Sequence, residues 1–150
     1  MTQLLEDMNL EPRTVGQSDY PSGSPLTEII VLAKHCAGGV ILGFSEYRIE
    51  SGFRMSRSHE DELEEELPDG HRWSTPWNQI EGGICAGLNL PYVIFKEEGI
   101  DSGIFDAGAS GQFIQMMPTE ATWESSKRAI QDVLYTWRTK VQEKYYSVGH

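Results

Sequence analysis

Two short, unbroken apolar runs constrain this chain more than any other feature. GGVILGFS (residues 38–45) and PYVIFKEEG (91–99) hold three and four consecutive large apolar side chains, respectively, between turn formers. A strand with one wet face alternates apolar and polar residues, whereas a continuous run belongs to a strand covered on both faces, as in a parallel sheet. QFIQMMPT (112–119) supplies a further strand of the same kind, and LEPRTVG, near the start, reads as a short strand ending at Gly16.

Helical patterns separate these runs. MTQLLEDMN places Leu4, Leu5 and Met8 on one face, and LTEIIVLAKHC places Leu26, Ile29, Ile30 and Ala33 together. Thr75 followed by Pro76 marks a third helix start, since the hydroxyl caps free amides and proline needs no partner at the first position. Asn89 closes that helix. From about residue 120 onward, Trp123, Ile130, Leu134, Trp137, Val141 and Tyr145 recur at helical spacing and predict one long amphipathic helix. Strands alternating with helices give an α/β fold with PRTV, GVILGF, YVIF and QFIQMM as parallel strands and helices on both faces.

With 150 residues the chain fits one domain. Twelve Lys and Arg against 23 Asp and Glu leave a charge of −11, which excludes general nucleic-acid binding. Seven of the acids lie in HEDELEEELPDG (59–70), which has no Lys or Arg. The stretch 46–73 is therefore expected to be a mobile acidic loop, with 59–70 dispensable for folding. No run approaches the about 20 apolar residues of a membrane span and no basic-then-apolar leader opens the chain, so a cytoplasmic protein without membrane contact is expected. Cys36 and Cys85 sit in apolar segments as small hydrophobes. His35 and Cys36 lack a second cluster at ligand spacing, and His59 and His71 merely flank the acidic run, so no metal is expected. The glycines of GGVILGFS and GASG do not follow the dinucleotide-binding order, and no Ser-His-Asp arrangement can be inferred.

The stretch TPWNQIEGGICAGLNLPYVIF (75–95) carries the sharpest functional signal. Glu81 stands in an early turn of its helix and is followed by Gly82 and Gly83, each costing about 1 kcal/mol of helix propensity relative to alanine. Bare backbone beside a carboxylate predicts the close approach of a ligand or of another element. Trp77 and Asn78, four and three residues before Glu81, can share its face.

The succession of PRTV, GQSDYPSGSPL, a helix, GVILGFS and TPWNQIEGGICAGLNLPYVIF resembles the TIR-like and nucleoside 2-deoxyribosyltransferase-like group of flavodoxin-like domains, over most of the chain and through pattern more than exact motif. The resemblance implies a doubly wound parallel sheet of order 2-1-3-4-5. It also implies that Glu81 acts on the ribose end of an N-glycosidic bond, as in NAD cleavage or deoxyribosyl transfer. Trp77 would stack on a base or nicotinamide ring, Asn78 would bind ribose hydroxyls, and Gly82 and Gly83 would leave room for the sugar. Ser18, Asp19 and Tyr20, with Gly43 and Phe44, would line the ligand at strand carboxyl ends. NAD would be a substrate, with no cofactor required. Two departures accompany the resemblance: the usual first strand is lacking, and so is the Asp-rich signature of the transferases. Either the true start codon lies upstream, or another element fills the gap, supplied by a neighbouring molecule. A catalytically inactive nucleotide-sensing or protein-interaction module, working by self-association, is the competing expectation.

Overall fold

A computed structural model describes residues 1–14, 24–57, 62–108 and 113–147. Its centre is a three-stranded parallel sheet of β1 (Gly39–Gly43), β6 (Tyr92–Lys96) and β7 (Phe113–Met116), in the order β1-β6-β7. β6 lies in the middle and its residues alternate between two cores. Val93 and Phe95 join Leu5 of α1 (Thr2–Glu6) and Met8 just after it, together with Ile130, Leu134, Trp137 and Val141 of α4 (Trp123–Ser147). Ile94 enters the opposite cluster with Ile41, Ile100, Phe105 and Cys85, the last from α3 (Pro76–Gly87). Ala33 of α2 (Pro25–Lys34) packs against this second cluster. The unbroken apolar runs thus become strands covered on both faces, as their pattern requires.

Backbone hydrogen bonds show which way β1 faces. Gly39 donates to Pro91 O at 3.0 Å and Gly43 O accepts from Glu97 N at 2.9 Å. The amides and carbonyls of Gly39, Ile41 and Gly43 therefore face β6, and those of Val40 and Leu42 face the other edge. Among the described residues no strand pairs with that edge.

Three expectations need correction. Pro12, Arg13 and Thr14 form no strand, and Val15 lies outside the described residues, so three parallel strands are seen where four were expected. The stripe on α4 ends at Val141, because Tyr145 is exposed. The stretch 46–73 is strand for much of its length. β2 (Ser45–Ile49) pairs antiparallel with β5 (His71–Ser74), and β3 (Phe53–Arg57) with β4 (Glu62–Glu66). Leu67 N donates to Gly52 O at 2.9 Å between the two ladders, making them one ribbon. Charge repulsion was the reason for expecting a loop, but the register sets Arg54 across from Glu65, and cross-strand pairs of opposite charge favour pairing.

Trp137 fastens α4 to the sheet: its Nε1 donates to Pro91 O at 2.9 Å, just ahead of β6. Leu134, one turn earlier, is fully buried. Leu134→Ala is expected to cost about 2–5 kcal/mol through lost burial and the cavity left behind, measured by urea denaturation. A loss below about 1 kcal/mol would mean that α4 does not cover the sheet as described.

Candidate functional site

The candidate site is built on the first turns of α3, where the ribbon returns to the sheet. Thr75 Oγ1 accepts from Asn78 N at 3.3 Å, and Pro76 occupies the first turn, as the sequence pattern predicts. The same hydroxyl donates to Asn78 Oδ1 at 3.1 Å, leaving the Asn78 side-chain amide free to point at the sheet. It does so, donating from Nδ2 to Leu42 O at 3.2 Å. Asn78 is 9% exposed, and it satisfies a carbonyl on the unpaired edge of β1.

Glu81 lies one turn further and is half-buried. Burial raises its carboxyl above the ordinary glutamate value, and a side-chain hydrogen bond with Asn78 pulls in the opposite direction. Cys85 follows at the next turn. Its thiol is pushed up to about 11, first by burial, then by the nearby charge of Glu81 and by Cys36. It is therefore a neutral thiol at physiological pH, packed where a Cβ on Gly39 would come within 2.7 Å of Sγ. The sequence alone marks Cys85 only as a small hydrophobe; its spacing of four from Glu81 is the signal that could have joined it to the site.

The glycines divide. A Cβ on Gly82 would lie 2.6 Å from Ile104 Cδ1, in the segment Gly103–Phe105, and a Cβ on Gly43 would collide with the Phe105 ring. The space at both positions is filled by the protein, so at Gly82 it is Ile104, and not open room for a sugar, that the missing side chain accommodates. Gly83 has nothing within 4 Å of its Cβ direction. Gln79 holds the filling segment in place: its Nε2 donates to Ser102 O at 3.1 Å and its Oε1 accepts from Ile104 N at 3.0 Å. Gly103 adopts φ +64 against the Gln79 side chain, a conformation and a contact that favour glycine.

Of the other expected residues, Trp77 is 44% exposed on α3, and Phe44 is exposed just past the end of β1. Ser18, Asp19 and Tyr20 lie outside the described residues. Glu97 was not anticipated. Its Oε2 accepts from Ser45 N at 2.9 Å and lies 3.5 Å from Arg72 Nη1, tying both strands at the ribbon base to the carboxyl end of β6. Among the described residues no group of three or more His, Cys, Asp or Glu is placed to hold a metal ion, and no helix is long and apolar enough to cross a membrane. Comparison with protein-family models, with curated proteins and with solved structures finds no match to the chain.

The two glycines allow a direct check. Gly82→Leu should lower stability by about 1–3 kcal/mol or more through overpacking against Ile104, whether or not ligand is present. Gly83→Ala should be neutral or stabilise by up to about 1 kcal/mol through helix propensity. Equal losses at both positions would contradict the packing described. A second check concerns pH. Because the folded state raises the Glu81 pKa above its ordinary 4.5, Glu81 favours folding below that value. The contribution is lost as pH rises through the raised value. The melting temperature of wild type relative to Glu81→Gln should therefore fall across that window and then level off; a rise would reverse the assigned shift.

Proposed function

We propose that the chain binds a nucleoside or nucleotide and cleaves, or transfers across, its N-glycosidic bond through Glu81. The observation that carries this reading is a half-buried carboxylate whose burial outweighs its hydrogen bond to Asn78. Such a group is a stronger base and nucleophile than a solvated one. Placed below a ribose C1′, its ionised form would stabilise oxocarbenium character or form a covalent glycosyl intermediate. Trp77 and Phe44 offer exposed rings for stacking on a base or a nicotinamide. NAD is the first substrate to test.

The fold supports this reading at a coarser level. The order β1-β6-β7 suits the third, fourth and fifth strands of a flavodoxin-like order 2-1-3-4-5, with α1 and α4 on one face and α2 and α3 on the other. We take the chain to be a cytoplasmic TIR-like or deoxyribosyltransferase-like domain on this ground and on the pattern of its sequence. A specific observation favours a second reading, an inactive module that senses a nucleotide or binds a protein: Asn78 is already engaged by Leu42 O, and Ile104 and Phe105 occupy the space beside Gly82 and Gly43.

The deciding experiment assays released base from NAD and from a panel of nucleosides, alongside calorimetric binding. Wild type should release base, and Glu81→Gln should lose turnover by at least about 100-fold while retaining most of its affinity, because the amide keeps size but not charge. Binding without turnover in wild type would favour the inactive module. Turnover unchanged in Glu81→Gln would remove Glu81 from the chemistry.

A further inference from the structure

The ribbon formed by residues 45–57 and 62–74 leaves large apolar side chains in water. Phe53 is 60% exposed and Met55 59%, although both lie in a regular ladder where cross-strand packing was available to them. Phe53 and Met55 are two apart on β3, so they share a face, and directly opposite them stand Glu66 and Glu64. The face therefore presents a ring and a thioether flanked by two carboxylates. Nearer the base, Tyr47 and Trp73 form a facing pair that is also exposed. A two-stranded ribbon is marginal alone, and exposed apolar residues beside open strand edges are a liability unless something covers them.

We propose that this face docks a protein segment rich in arginine or lysine. The charge chooses the occupant. The ribbon carries an excess of acids, so a second copy of the same face would set Glu64 and Glu66 against like charges, and an anionic lipid surface would be repelled in the same way. A cationic side chain satisfies both parts of the face at once. Its head reaches Glu64 or Glu66 while its methylene stem lies along Phe53 and Met55, with a cation over the Phe53 ring as an added attraction. The proposal does not depend on Glu81, and the two fail independently.

The test uses the full chain and two fluorescein-labelled ten-residue peptides, one alternating arginine with valine and the other glutamate with valine, read by fluorescence anisotropy. The arginine peptide should bind at least tenfold more tightly than the glutamate peptide. Binding should weaken about tenfold in Phe53→Ser/Met55→Ser and by a similar factor in Glu64→Gln/Glu66→Gln, with circular dichroism confirming that both variants are folded. Absence of binding, or equal binding of both peptides, would overturn the proposal. A loss on removing the carboxylates but none on removing Phe53 and Met55 would reduce it to unspecific charge attraction and would likewise overturn it. Sedimentation showing a dimer that Phe53→Ser/Met55→Ser dissociates would assign the face to a second copy instead.

Discussion

Everything in this fold depends on β6 being sealed from water on both sides. Four consecutive residues, Tyr92 to Phe95, are buried, and alternate members belong to different clusters. A strand of that kind cannot lie at the surface of a one-layer sheet, so helices are needed above and below it. The helices need the strand equally, since each presents only one apolar stripe. Neither face is a separate unit, and a substitution that loosens one face bears on the backbone that supports the other.

The unpaired edge of β1 poses a different problem, because backbone groups at an edge need partners that a neighbouring strand would otherwise supply. Asn78 meets part of that need by bonding Leu42 O. The same residue bonds with Glu81 and is fixed by the Thr75 hydroxyl. Edge satisfaction and helix capping thus converge on one amide side chain. Its buried setting and its bond to Leu42 O leave Asn78 poorly available as a free contact for any other group.

The sequence made the central strands, the start of α3 and the long C-terminal helix legible, because burial on both faces, a Thr-Pro helix start and a 3.6-residue stripe are local signals. It misjudged 46–73, where the decisive fact is register: Arg54 faces Glu65 only after the ribbon has formed, and a run of acids read alone suggests repulsion. Gly82 is a related case. Gly82 was recognised as marking a close approach, but the approaching group is Ile104, 22 positions later in the chain, held by Gln79. Nothing near Gly82 in the sequence distinguishes a protein side chain from a ligand as the occupant. The position of Glu81 on its helix was legible; its burial depends on elements that only the fold brings together.

The bond from Trp137 to Pro91 joins positions 46 residues apart, and four buried members of one core cluster come from α4. Such contacts form late, because a long loop must close before they repay its lost entropy. During synthesis this face of β6 has only Leu5 and Met8 of its buried partners until the residues of α4 emerge from the ribosome. Over that interval Val93 and Phe95 lack the cover that α4 gives them in the folded chain. The last helix to be made thus closes over a strand made some thirty residues earlier.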